Sequence, residues 1–132
     1  MPNLTNKRVL LVDDEENVRM VVTMLLESLG VTVLTAENGM QALGLYRSET
    51  FDVVFTDYKM PQMRGDELAQ AIKTINPAQR IIVVTGSVEI VCSHGLPPFF
   101  DGAIPKPCSL NQLVDALSDK APHAPSLNRL AA

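Results

Sequence analysis

The stretch FDVVFTDYKMPQMRG, residues 51–65, decides the fold of this chain. It opens with a short apolar run, Val53 to Phe55, which is typical of a strand buried on both faces of a sheet. The run stops at Asp57, and one proline and one glycine in the following residues indicate a loop. The stretch therefore predicts a parallel strand followed by an aspartate at the carboxyl edge of a sheet, where open α/β sheets bind ligands.

Four further segments show the same strand pattern, and helical patterns separate them. The apolar segments that predict these strands are 9–12, 31–36, 81–84 and 102–104. Between them, apolar residues recur at helical spacing, and residues that cap or end helices flank these patterns. The alternation predicts an α/β fold, namely a doubly wound sheet of five parallel strands with helices on both faces. Only the fourth helix looks short, because Gly95, Pro97 and Pro98 interrupt it.

Length and composition exclude several classes of protein. The chain has 132 residues and a formal net charge of −4 without a basic run, so we expect one domain and no direct contact with nucleic acid. We assign residues 1–119 to this domain and residues 120–132 to a flexible tail. The first apolar run is too short for a signal peptide or a membrane span, so a cytoplasmic location without membrane contact is expected. Cys92 and His94 are too few ligands for a zinc site.

Polar and charged residues follow four of the predicted strands. Because right-handed crossovers bring the carboxyl ends of parallel strands to one edge, these residues should converge there: Asp13, Asp14, Asp57, Thr85 and Lys106. Clustered carboxylates suit Mg²⁺, and an aspartate can attack phosphorus while a lysine and a hydroxyl stabilise the phosphoryl oxygens. We expect the two glutamates that come next, Glu15 and Glu16, only to complement the dipole of the first helix.

Four motifs, in this order, resemble those of the receiver domain of two-component response regulators. They are LLVDDEE at 10–16, VVFTDYKMPQMRG at 53–65, IIVVTGS at 81–87 and AIPKP at 103–107. The resemblance covers residues 8–118 and implies a flavodoxin-like (βα)5 fold. It also implies that Asp57 is the phosphoacceptor. Mg²⁺ would be bound by Asp57, directly by Asp14, mainly through water by Asp13, and by the backbone carbonyl of Lys59.

The resemblance assigns roles to two further residues and shows one departure. Thr85 would bond a phosphoryl oxygen and move inward on phosphorylation. Lys106 would pair with the phosphoryl group and be held by a cis peptide bond before Pro107. Receivers usually carry an aromatic residue three positions before this lysine, but this chain has Ala103 there. The phosphorylation chemistry should survive this change, whereas the usual output face is in doubt.

These implications predict a phosphorelay protein that is a signalling domain and not an enzyme in the usual sense. It would accept a phosphoryl group from a histidine kinase or a histidine phosphotransfer protein and would catalyse its own phosphorylation and dephosphorylation. It would signal by phosphorylation-dependent contact with an unknown downstream protein. We expect a stand-alone receiver, since no output domain follows residue 118, while a piece of a longer kinase or regulator is the other interpretation.

Two alternative functions follow from the same residues. The first is a receiver-like interaction module that is never phosphorylated, which the intact set of Asp14, Asp57, Thr85 and Lys106 disfavours. The second is a metal-dependent phosphatase with an aspartate nucleophile, similar to the haloacid dehalogenase superfamily. Those enzymes carry Asp-x-Asp after the first strand, whereas here the nucleophile follows the third and Lys59 occupies the second position after it.

Overall fold

The computed structural model describes residues 4–118, which fold into one five-stranded sheet flanked by five helices. All neighbouring strands are parallel, in the order β2-β1-β3-β4-β5. The elements in chain order are β1 (Arg8–Val12), α1 (Glu16–Ser28), β2 (Thr32–Ala36), α2 (Gly39–Ser48), β3 (Val53–Thr56), α3 (Gly65–Ile75), β4 (Arg80–Thr85), α4 (Val88–Val91), β5 (Gly102–Pro105) and α5 (Leu110–Leu117). The predicted doubly wound parallel sheet is confirmed.

Alternate residues of the central strands belong to two separate cores. Leu10 and Val12 of β1 pack in the cluster that holds the buried residues of α2 and α3. Val9 and Leu11 pack in the cluster that holds those of α1 and α5. Since successive side chains of a strand point to opposite faces, each strand contributes to both cores. This is why β1 reads as a continuous apolar run and not as an alternating pattern.

Local capping signals are visible at three helix ends. Gly30 has φ +85°, the left-handed conformation that favours glycine after a helix. Ser109 and Gln112 form the reciprocal capping box that the sequence predicts for α5. The predicted box at α2 is only half formed, because Asn38 accepts a bond from the Gln41 backbone while the Gln41 side chain accepts from the preceding residue, Glu37.

The fourth helix is as short as its glycine and prolines predict. Helix α4 has 4 residues, and none of them is buried. The chain then runs without a regular helix to β5. In this segment Phe99 is exposed with φ +75°, whereas Phe100 is buried. A left-handed phenylalanine is strained and is held in place only by its surroundings.

Two expectations from the sequence concern features outside the sheet. The predicted flexible tail at 120–132 lies outside the described residues. None of the helices within residues 4–118 combines the length and the apolar character that a membrane span requires.

Candidate functional site

The ends of β1, β3 and β5 meet at one point of the carboxyl edge. There the ammonium group of Lys106 lies between carboxylates from the other two strands. Its Nζ is 2.7 Å from Asp13 Oδ2, 3.0 Å from Asp57 Oδ2 and 3.4 Å from Glu15 Oε1. Residues far apart in sequence are thus brought together by the sheet order, since β1 lies beside β3.

Asp57 is a buried carboxylate with both oxygens engaged. Its residue exposure is 7%, Oδ1 accepts a bond of 2.8 Å from the Tyr58 backbone N–H, and Oδ2 accepts one from Lys106. Burial raises the pKa of Asp57, because it disfavours the charged form more strongly than the bonds from Lys106 favour it, and the nearby charge of Asp13 acts in the same direction as burial. The carboxylate is therefore oriented but poorly solvated.

Lys106 is held in the site by its backbone and by its side chain. Its backbone N–H donates to the Thr85 carbonyl at 2.9 Å, and the Lys106–Pro107 peptide is cis. Burial alone would lower the pKa of Lys106, but hydrogen bonds to Asp13 and Asp57 outweigh burial and raise that pKa above its usual value. Lys106 thus forms ion pairs with two carboxylates at the acidic edge.

Four carboxylates at this edge form a group that suits a hard cation. One oxygen from each lies within 4.8 Å of the others, from Asp13, Asp14, Glu15 and Asp57. Asp14 and Glu15 are exposed, whereas Asp13 and Asp57 are buried, so the group opens to solvent on one side. An all-oxygen set of this kind fits Mg²⁺, which prefers carboxylates and retained waters. Lys59 lies in the adjoining loop with its side chain exposed.

Thr85 lies at the same edge, but its hydroxyl is bonded locally. The residue is buried, and its Oγ1 accepts a bond of 3.1 Å from the backbone N–H of Ser87. Ala103, in the next strand, is buried in a cluster that also contains Phe100. The Phe100 ring centroid is 6.4 Å from that of Tyr58. An aromatic side chain from the preceding loop therefore packs near the site even though residue 103 is an alanine.

The structure adds a glycine to the residues that build the site. Gly65 N–H donates to the Tyr58 carbonyl at 2.7 Å and closes the loop after Asp57. A β-carbon on Gly65 would collide with the backbone carbonyl oxygen of Asp57. The sequence shows this glycine as a loop residue and helix start, but the close approach depends on the path of the loop.

Glu15 is the second residue whose position the sequence did not predict. We expected it only to complement the helix dipole, yet its carboxylate belongs to the acidic group and faces Lys106. The clue available in sequence was its place directly after two aspartates at a strand end.

Comparison with known proteins identifies the family. The family model of the response regulator receiver domain matches residues 9–118. The chain belongs to the response regulator receiver family. The resemblance inferred from the four motifs is therefore confirmed.

Relatives of the receiver differ in length and organisation. It is 33% identical over 117 residues to the autoinducer 1 sensor kinase/phosphatase LuxN of Vibrio campbellii; this match covers 89% of the receiver but only 14% of LuxN. It is 31% identical to the receiver protein CpdR of Brucella abortus, covering 84% of the chain and 93% of CpdR. The solved response regulator TrrA of Thermotoga maritima, in complex with Mg²⁺ and BeF, matches with TM-score 0.78 and 31% identity over 85% of this chain and 96% of TrrA.

Proposed function

We propose that the receiver accepts a phosphoryl group on Asp57. An oxygen of the Asp57 carboxylate attacks phosphorus and forms an acyl phosphate, while the bond from phosphorus to the donor's leaving atom breaks. With a phosphohistidine donor, the leaving imidazole nitrogen keeps the electron pair. The observation that carries this proposal is the buried Asp57 carboxylate, oriented by the Tyr58 amide and within 3.0 Å of the Lys106 ammonium.

Side chains around Asp57 support the transfer by neutralising charge. We propose that Lys106, now bonded to Asp57, pairs with a phosphoryl oxygen. We also propose that the Thr85 hydroxyl, which accepts a bond from the Ser87 N–H, donates its own proton to another phosphoryl oxygen after moving inward. We propose that Asp13, Asp14, Asp57 and the backbone carbonyl of Lys59 hold Mg²⁺. When bound, this ion neutralises the charge that accumulates on the phosphoryl oxygens.

Substitution of Asp57 tests the chemistry. Acetyl phosphate with Mg²⁺ should add one phosphoryl group to the wild type, and Asp57→Asn should abolish the addition because an amide is not a nucleophile toward phosphorus. Asp52→Asn is the matched control, since Asp52 is an exposed aspartate at the opposite end of β3. Intact-protein mass spectrometry measures the labelling.

Other outcomes of that experiment point to the alternatives. Equal labelling of Asp57→Asn and wild type would move the site elsewhere. An unlabelled wild type would favour the unphosphorylated interaction module. In a separate assay, repeated turnover of a small phosphate monoester would favour the phosphatase.

We propose that the physiological donor is a histidine kinase or a histidine phosphotransfer protein. Support comes from the relatives, which include sensor kinases such as LuxN and CckA and the sporulation initiation phosphotransferase F of Bacillus subtilis. Three apolar side chains are exposed on α1, the helix that begins directly after Glu15, namely Met20, Val21 and Met24. Exposed apolar side chains on the helix that follows the acidic group favour a protein donor over a small molecule. Phosphotransfer profiling against candidate kinases would name it.

We also propose that the receiver works in the cytoplasm and signals by contact with another protein. Both cysteines, Cys92 and Cys108, are free thiols, which agrees with a reducing compartment. The downstream contact would depend on the phosphorylation state of Asp57.

A further inference from the structure

Glu15 occupies the N-cap position of α1 without capping it. Its backbone is extended, with φ −93° and ψ 115°, but its side chain makes no capping hydrogen bond. Its backbone N–H donates to Asp13 Oδ1 at 2.9 Å, and this bond turns the chain beside the site. The Glu15 carboxylate therefore makes no hydrogen bond to the helix end. It lies 3.4 Å from the Lys106 ammonium instead, with 63% of its side chain exposed.

Lys106 contacts the same carboxylates that a divalent cation needs. Its ammonium is closest to Asp13 and Asp57, the two buried members of the acidic group. A cation bound by these carboxylates competes with the ammonium for their oxygens, and like charges at short distance repel. The side chain of Lys106 is only 14% exposed, so a lysine displaced from both partners needs another acceptor at the site. Glu15 is the acceptor already in contact.

We propose that Glu15 is a positioning residue for Lys106. Its carboxylate holds the ammonium at the site when Asp13 and Asp57 bind a divalent cation, and so it strengthens cation binding without being a ligand itself. The inference rests on the proposed role of the acidic group in binding Mg²⁺. It gives Glu15 a role that is separate from complementing the dipole of α1.

Glu16 provides a matched control within the chain. It carries the same charge, follows Glu15 directly and occupies the first turn of α1. It is exposed and does not belong to the acidic group. A general effect of negative charge near the helix start should therefore be similar for Glu15→Gln and Glu16→Gln, whereas positioning of Lys106 should be specific to Glu15.

Magnesium affinity, measured by NMR titration of the Tyr58 amide signal, tests this role. Glu15→Gln should raise the Kd for Mg²⁺ about threefold, which is the change expected from the loss of one exposed ion pair. Glu16→Gln should have less than half of that effect on the Kd. In a Lys106→Met background the effect of Glu15→Gln should fall to that of Glu16→Gln. An undiminished effect there would show that Glu15 acts directly on the cation and would overturn the proposal.

The comparison of the two glutamates does not depend on the lysine variant. Equal affinities for Glu15→Gln and Glu16→Gln would overturn the role of Glu15 even if Lys106→Met does not fold. Labelling of the same samples with acetyl phosphate keeps this inference apart from the proposed function. A wild type that binds Mg²⁺ but is not labelled on Asp57 contradicts only the proposed function, and a wild type that does not bind Mg²⁺ contradicts both.

Discussion

Helices α3 and α4 follow neighbouring strands of the sheet, but they are anchored very differently. Helix α3 has 11 residues, and its buried residues include Leu68, Ala69 and Ile72. Lys73 in its last turn also pairs with Asp101 at 2.9 Å, just before β5. Helix α4 has 4 residues and buries none of them, and Ile90 is 68% exposed. The loop after Asp57 thus leads into a firmly packed helix, and the loop after Thr85 leads into a loosely packed one.

The difference in packing between α3 and α4 corresponds to two different requirements of a phosphorylation switch. Covalent chemistry needs groups held in one geometry, and a well-packed helix after Asp57 suits that need. A response to phosphorylation needs an element with two states of similar free energy, and segments with few buried contacts open at the lowest cost. We expect the segment from Ser87 to Phe100, whose helix buries no residue, to meet the second requirement and residues 57–75 to meet the first.

Truncation of an isoleucine in each helix should show the largest contrast. Ile72 of α3 is 0% exposed, so Ile72→Ala should lower the free energy of unfolding by about 2–5 kcal/mol through lost burial and a cavity. Ile90→Ala in α4 should change it by less than about 0.5 kcal/mol, as exposed substitutions do. Urea unfolding measures both. Similar losses of unfolding free energy would mean that α4 is packed as firmly as α3, and the contrast between the two helices would be wrong.

A glycine at the start of each region should give a smaller contrast of the same kind. Gly65→Ala puts a β-carbon against the Asp57 carbonyl and should cost about 1–3 kcal/mol, the usual range for overpacking. Gly86→Ala meets no atom within 4 Å and should leave stability almost unchanged. Because Gly65 closes the loop next to Asp57, only Gly65→Ala should also slow labelling of Asp57. Unimpaired stability and labelling in Gly65→Ala would show that the loop adjusts freely.

Hydrogen exchange should reveal the subtlest contrast, which concerns the response to phosphorylation. With beryllofluoride as a stable phosphoryl mimic, exchange should change most between Ser87 and Ile104 and little in residues 31–50. The reason is that the Tyr58 amide bonds Asp57 while the Tyr58 ring lies near Phe100, which links the site to the loosely packed segment. Exchange mass spectrometry measures this. Protection from exchange at 57–65 without any change between Ser87 and Ile104 would mean that the usual output face does not respond to the phosphoryl mimic.

The sequence predicted the sheet and the convergence of strand ends because both follow from short-range patterns. Apolar runs such as Val53 to Phe55 signal buried strands, and parallel strands with right-handed crossovers leave few ways to order their ends. The short α4 was predictable for a similar reason, since Gly95 and Pro97 disfavour a helix wherever they occur. Apolar runs and helix-breaking residues can each be read from a few neighbouring positions of the chain.

Distances between side chains from different strands needed the tertiary structure. By itself the sequence determined the fold class, the residues at the carboxyl edge and the absence of an aromatic at Ala103. Only the tertiary structure placed the Glu15 carboxylate on Lys106, the Phe100 ring near Tyr58 and Gly65 against the Asp57 backbone. Contacts of this kind depend on the paths of loops and on side-chain directions, and a shift of a few ångströms, invisible in the sequence pattern, makes or breaks each of them.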